Sequence, residues 1–252
     1  MRNTLLLSIL LTLFSVYLIK RTITFVRYSH LNPFESHISA LILARGGSKG
    51  IKLKNLAKIH NVTLLARTIR TIHDFGLFDS VWVSTDHEEI AKEAEKNGAN
   101  VHWRKPFTTL DEASSSIAVK EFIQSHSEIG IVGLIQCTSP FLRVSHLREA
   151  YDKLLVGYHS VFSVTRDHKL RWRIEDNIIE PDNFDPYNRP RRQDWDGELY
   201  ENGMFYFTYT DIIFDQEVLQ GGKASVVEIP NNESLEIDTI EDLRLAECLS
   251  IQ

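Results

Sequence analysis

Four cations, Arg45, Lys49, Lys52 and Lys54, fall within ten residues that also carry Gly46, Gly47 and Gly50, directly after the apolar run Ile38, Ala40, Leu41, Ile42, Leu43. That composition suits phosphate. Glycines allow backbone conformations and close approaches that a Cβ resists, so amide N–H groups can face an anion while the cations neutralise it. Asn55 adds a neutral donor and acceptor, and Lys52 reads as a solvent-facing lysine. No Gly-Lys-Ser/Thr stands at P-loop distance and no Gly-x-Gly-x-x-Gly occurs, so neither common nucleotide loop is present. The loop still leaves the carboxyl end of an apolar strand, where open α/β sheets bind ligands. A second group lies near the other end of the chain. Glu236 and Asp238 are two apart in LEIDT, so on a strand both carboxylates share one face, a geometry suited to a hard divalent cation bridging phosphate oxygens. Helix capping is the alternative role for Asp238. Gln136 closes a third apolar run ahead of Thr138, Ser139 and Pro140, which places an amide at the mouth of the sheet. Thr138 and Ser139 also suit the turn before proline, and Arg143 suits an ion pair.

These groups need a scaffold, and 252 residues with 43% hydrophobic content supply one large α/β domain. Apolar runs at 38–43, 80–84, 99–103, 129–136 and 160–165 read as strands, and periodic segments at 63–73, 86–97, 113–125 and 145–155 as helices. Asp111 looks like the N-cap of the third helix, with Ser114 and Ser116 beside it. Alternation of this kind predicts a mostly parallel sheet with helices on both faces. Residues 166–200 break the rhythm, being rich in Arg, Trp, Asp and Pro, and read as an excursion from the sheet. A net charge of −6 argues against a nucleic-acid surface. Two cysteines, Cys137 and Cys248, form no disulfide framework, and Cys137 reads as a buried structural thiol. The ten histidines show no metal-ligand spacing.

The amino terminus differs in kind. Residues 5–19 are free of charge, and no Ala-x-Ala-like site follows, so residues 1–30 read as an uncleaved signal-anchor, 31–37 as a linker and 38–252 as the catalytic domain. The run is short of the about 20 residues that span a bilayer. Lys20, Arg21 and Arg27 favour a cytosolic carboxyl-terminal side. The sequons at Asn61 and Asn232 favour the opposite side and are candidate glycosylation sites. The expectation is a lumenal, membrane-anchored domain in the secretory pathway, in the Golgi.

The stretch ISALILARGGSKGIKLKN (38–55) resembles the N-terminal motif of the CMP-N-acylneuraminate synthetases, or N-acylneuraminate cytidylyltransferases, which activate sialic acid with CTP. RKPFTTLDEASSSIAV (104–119), LIQCTSPFLR (134–143), RPRRQDW (189–195), LYENGMFYF (199–207) and LEIDTIEDL (235–243) resemble the same family in order. The resemblance implies a Rossmann-like nucleotidyltransferase sheet with a small dimerisation excursion. It carries Arg45, Ser48, Lys49 and Lys54 to the CTP phosphates and Asn55 to the base or the adjoining nucleotide. Arg104, Ala113 and Ser115 go to cytosine, Gln136 to the acylated sugar, and Arg191, Arg192, Gln193, Tyr200 and Asn202 to the sugar and its carboxylate. Glu236 and Asp238 go to Mg²⁺, with Arg45, Lys54 and Asp238 as the catalytic set. Lys105 departs from the commonest pattern, as does Glu236 where many members carry Asp. Implied partners are CTP, sialic acid and a second copy in a homodimer or dimer of dimers. Two alternatives stay open: another acidic sugar such as 3-deoxy-manno-octulosonate, or a catalytically impaired sugar-nucleotide-binding protein.

Overall fold

The computed structural model describes Tyr28 and residues 32–48, 50–109 and 114–250, so the expected anchor at 5–19, Lys49, Asp111 and Ala113 lie outside the described residues. The chain opens with strand β1 (His37–Leu43), followed by a small hairpin of β2 (Lys58–Ile59) and β3 (Val62–Thr63) and helix α1 (Leu64–Phe75). Then come β4 (Ser80–Thr85), α2 (Glu88–Lys96), β5 (Asn100–Trp103), α3 (Ser115–Ser125), β6 (Ile129–Ile135), α4 (Val144–Leu155) and β7 (Ser160–Asp167). The last part holds β8 (Trp172–Glu175), β9 (Ile178–Pro181), β10 (Glu198–Tyr209), α5 (Thr210–Gln216), β11 (Ala224–Glu228) and α6 (Ile240–Leu249).

Seven strands form one sheet in the order β11-β7-β10-β6-β1-β4-β5, all parallel to their neighbours except β10, which runs antiparallel between β6 and β7. Period-2 alternation in β1 sends Ile38, Ala40 and Ile42 to one face and Leu41 to the other. The first face packs against α1, α2 and α4 through Leu65, Ile69, Ile90 and Leu147, and the second against α3 and α5 through Val119, Phe122 and Ile213. Each fully buried Leu or Ile contributes about 1.5–3 kcal/mol, so the two faces together fix the sheet between its helices. The α/β, mostly parallel architecture with helices on both faces is the one that the alternation predicts.

Helix starts follow local chemistry. Thr63 caps α1 by accepting from the Ala66 N–H, and Ser114 caps α3 by accepting from the Ile117 N–H, so the cap of α3 is Ser114 and not Asp111. The expected excursion at 166–200 is narrower, because residues 166–167 and 198–200 pair within the sheet as the ends of β7 and β10; between them lies the β8–β9 hairpin, whose tip residues Asp176 and Asn177 both have positive φ. The packing also begins ahead of residue 38: Tyr28 is buried in the core, with its hydroxyl donating to Asp215 at 3.0 Å and its ring edge-on to His159.

Candidate active site

Parallel register aligns Leu41 with Leu134, so β1 and β6 end together, and β4 and β5 end on the same edge of the sheet. The loops that follow these four strands therefore meet there. The loop after β1 is held by its own polar groups. The Gly46 N–H donates to Asp86 Oδ1 at 2.7 Å, and Asn55 Nδ2 donates to the Arg45 carbonyl at 3.1 Å. Asn55 is 4% exposed, and its Oδ1 accepts from the Cys137 thiol at 3.0 Å. Burial pushes that thiol up to about 12 against the opposing charge of Lys54, which keeps it protonated and able to donate. Leu53 sits in the left-handed region and turns the chain into a short 3₁₀ helix, Lys54–Leu56, that presents Lys54.

The second wall is the segment 235–238, which the structure places outside the sheet. The Ile237 N–H donates to the Thr138 carbonyl at 2.8 Å and the Ile237 side chain is fully buried, so Glu236 and Asp238 both turn into the cleft. The alternation read from LEIDT therefore holds without sheet pairing. Gly50 completes the contact between the walls: a Cβ there would lie 2.5 Å from the Asp238 carbonyl oxygen, so this close approach requires glycine. Asp238 is not a helix cap. Thr239 caps α6 in a reciprocal box with Asp242, and the Asp238 carboxylate is left to pair with Lys54 Nζ at 2.8 Å. Glu236 accepts from Thr138 Oγ1 at 3.3 Å, and burial, with Asp238 nearby, raises its pKa above the usual carboxylate range. Further along, Glu233 bridges Arg143 at 2.9 Å and His146 at 3.1 Å, tying this wall to the start of α4.

Together these segments enclose an open cleft of about 340 Å³, lined by Arg45, Ser48, Gly50, Lys54 and Asn55 from one wall, Gln136 and Thr138 from the floor, and Glu236 and Asp238 from the other. Cations and carboxylates face each other across space enough for a triphosphate with hard metal ions. Arg104 follows β5, two strands over from β1, its guanidinium donating to the Thr108 carbonyl and, at 3.4 Å, to Thr108 Oγ1. Ser115 opens α3 at the surface.

Of the expected sugar-binding residues, Gln136 lines this cleft, and Arg191, Arg192, Gln193, Tyr200 and Asn202 are not among its lining residues. Arg191 is exposed and makes a two-point pair with Asp194, and Arg192 and Gln193 are also exposed. Tyr200 lines a separate cleft with Lys169 and Arg171. Asn202 is buried, donating to Thr165 Oγ1 and accepting from the Met204 N–H beside the irregularity in β10 where Gly203 has φ of 74°. Its amide secures the strand. Asn61 and Asn232 are exposed turn residues. Sequence reasoning missed Asp86, Glu233 and His146, which orient the walls; the signal for Asp86 was its position just after a strand next to the glycine loop.

A sequence model of the family described as Cytidylyltransferase matches residues 39–250. The chain is 50% identical over 216 residues to N-acylneuraminate cytidylyltransferase A of Danio rerio, covering 84% of this chain and 50% of that protein. It is 30% identical over 221 residues to pseudaminic acid cytidylyltransferase of Campylobacter jejuni subsp. jejuni serotype O:2, covering 83% of this chain and 94% of that protein. Among solved structures, CMP:2-keto-3-deoxy-manno-octonic acid synthetase complexed with CTP superposes with a TM-score of 0.67 at 15% identity, over 86% of this chain and 99% of that chain, a likeness of fold. The chain thus spans about half the length of the Danio rerio protein.

One expectation is corrected. The Golgi placement with a membrane anchor does not stand: no helix among the described residues is long and apolar enough to cross a membrane. The Campylobacter jejuni relative, matched over nearly its whole length, belongs to a bacterium, which has no Golgi. The charge-free run at 5–19, which carried the expectation, is outside the described residues.

Proposed function

We propose an activity from one premise: this chain belongs to the cytidylyltransferase family. It transfers CMP from CTP to the anomeric hydroxyl of N-acetylneuraminate and releases pyrophosphate. The observation that carries the reading is the cleft in which Arg45, Ser48 and Lys54 face Glu236 and Asp238 above the Gln136 amide. The sugar oxygen forms a bond to the α-phosphorus, and the bond from that phosphorus to the pyrophosphate oxygen breaks. The loop cations neutralise the triphosphate, hold it in line and stabilise the leaving pyrophosphate, with Lys49 added from the same loop. Lys54 rests on Asp238, so the carboxylate keeps the ammonium pointed into the cleft until phosphate competes for it.

The donor set fits Mg²⁺. Two carboxylates converge without histidine or thiolate, and no group of three or more His, Cys, Asp or Glu side chains that could hold a metal ion occurs among the described residues; Mg²⁺ needs few protein ligands because it keeps water and takes phosphate oxygens. Glu236 and Asp238 would hold it, and bound there it would supply charge neutralisation and Lewis-acid polarisation of the phosphates. Arg104, Ala113 and Ser115 read cytosine in this proposal, and Arg191, Arg192, Gln193 and Tyr200 supply the cations and donors for the sugar carboxylate. The exposed apolar side chains of the β8–β9 hairpin, with Ile174 75% exposed, support a homodimer built on that excursion.

Pyrophosphate release from CTP with N-acetylneuraminate, compared with CTP alone and with other 2-keto-3-deoxy acids, tests the reading. Release that depends on N-acetylneuraminate supports it. Release with another acidic sugar in its place supports the second reading, favoured by the 94% coverage of the pseudaminic acid enzyme. CTP binding without release means a binding protein.

A further inference from the structure

Glu121 is a carboxylate that the chemistry above does not use. It lies on α3, is 2% exposed, and accepts at Oε2 from His102 Nε2 on β5 at 2.9 Å. Its Oε1 has no hydrogen-bond partner among the described residues, and the nearest cation is Lys105 Nζ at 3.7 Å. A buried carboxylate is costly unless its charge is paired. What it pairs with is therefore informative.

The surroundings point in one direction. His102 Nδ1 lies 3.3 Å from His126 Nε2, so the chain from α3 to β5 closes on the end of α3 and fixes the imidazole that holds Glu121. Lys105 follows Arg104, and Arg104 closes the turn 104–109 by donating to Thr108. Glu121 lines the surface cleft between that turn, at Phe107, and the start of α3, at Ser114 and Ser116. It thus lies under the two segments, Arg104 and Ser115, that are proposed to read the base. Its charge reaches the first of them. Burial and the neighbouring Arg45 lower the pKa of Arg104, and Asp86 and Glu121 oppose that shift. Asp86 is already engaged with the Gly46 N–H.

We propose that Glu121, held by His102, is a positioning residue for nucleotide-base recognition: its carboxylate, 3.7 Å from Lys105 Nζ, ties the Arg104–Lys105 turn to α3. The proposal rests on the CTP reading. With the charge removed, the tie between this turn and α3 is lost where the base is proposed to be read.

The test compares Glu121→Gln, which keeps the volume, with the unaltered protein in pyrophosphate release, using CTP and UTP with N-acetylneuraminate, alongside thermal unfolding. The expected result is a KM for CTP raised about tenfold, with kcat within about twofold and a smaller preference for CTP over UTP. A folded variant with unchanged KM and base preference, or one that loses kcat alone, overturns the proposal, because a packing role would not move base selectivity. Should Glu121→Gln fail to fold, Lys105→Met at the exposed end of the contact is expected to raise the same KM severalfold, and an unchanged KM overturns it. If the unaltered protein releases no pyrophosphate, the functional reading fails separately. Calorimetric CTP binding then tests the positioning role: weaker binding by Glu121→Gln supports it, and equal binding or none to either protein overturns it.

Discussion

Deletion of residues 1–30, which removes Tyr28, is expected to destabilise the fold. Tyr28 is 2% exposed, packs edge-on to His159 at 5.6 Å, donates to Asp215 and accepts from Gln216 Nε2 at 3.0 Å. A buried aromatic removes roughly 150–250 Å² from water, which at about 25 cal/mol/Å² is roughly 4–6 kcal/mol as an upper bound. Ordering the chain and the ring offsets part of this. Tyr28→Ala is therefore set at about 3–5 kcal/mol, in line with other large-to-small aromatic changes. Tyr28→Phe, which keeps the ring and loses both hydrogen bonds, is set at about 1–2 kcal/mol. At about 2–4 °C per kcal/mol for a domain of this size, the alanine variant and a deletion of residues 1–30 both lower Tm by roughly 6–20 °C. Urea and thermal unfolding of the three variants provide the measurement. Turnover below the transition stays near that of the unaltered protein, since Tyr28 meets β7 at its amino end and the cleft lies at the opposite edge of the parallel strands. A loss below about 1 kcal/mol for Tyr28→Ala would refute the placement of this residue in the core.

Lys54→Ala should lower kcat/KM at least tenfold, about 1.4 kcal/mol of transition-state stabilisation, with Tm unchanged because its partner Asp238 is largely exposed; full activity would sink the phosphate role. Asp238→Asn should abolish Mg²⁺-dependent turnover and leave α6 intact, since Thr239 is the cap; an unchanged Mg²⁺ titration would count against metal binding. Gly50→Ala should lower activity more than stability, because its Cβ pushes the Asp238 carbonyl and so displaces the metal wall; equal kinetics would show that the walls move freely. Acidification should destabilise the protein. Burial lowers the pKa of His126, His146 and His159 below the unfolded value near 6.5, so the unfolded state binds more protons as pH falls through and below 6.5. Stability is then full above that pH and declines beneath it, and a Tm flat from pH 7.5 to 5.5 would contradict the burial of these rings.

The parallel half of the fold was legible because its signals are local. β1, β4 and β6 are runs of buried Ile, Val and Leu bounded by turn residues, and α1 and α4 carry apolar residues at helical spacing. β10 was not read as a strand, although GMFYF was singled out, because its place between β6 and β7 is decided by pairing with residues that lie from 31 (Glu198 with Asp167) to 78 (Tyr209 with Ile131) positions away. In the site, residue types and spacing pointed to Arg45, Lys54, Glu236 and Asp238 and the family resemblance to Ser48, and the structure brings these five into one cleft. Types and spacing did not suffice for Asn55 and Asn202. Both are polar residues within motif-like stretches, but each amide is buried and holds backbone or a neighbouring side chain. Spacing cannot separate an amide facing a ligand from one facing its own chain; only the fold reveals which polar atoms are already partnered.

The walls of the cleft owe their positions to such partnered atoms more than to the core. Past Ala44, whose N–H still reaches Ser84 on β4, and Ile229, whose N–H still reaches Val164 on β7, neither the loop after β1 nor the segment 230–239 pairs with a strand of the central sheet. The first is closed by Asn55 between the Arg45 carbonyl and the Cys137 thiol, and the second by Ile237 on Thr138 and by Glu233 on Arg143 and His146. A few hydrogen bonds, each worth about 0.5–1.5 kcal/mol net, thus set the separation of cations and carboxylates. Core burial sets global stability, whereas these ties set geometry at the chemistry, where a misplacement of about 1 Å can cost about a hundredfold in rate. Loss of a tie such as Glu233→Ala should then reduce turnover out of proportion to its effect on Tm. The opposite pattern, a large loss of Tm with kinetics preserved in the folded fraction, would mean that the walls are held by packing of Ile237 and its neighbours instead.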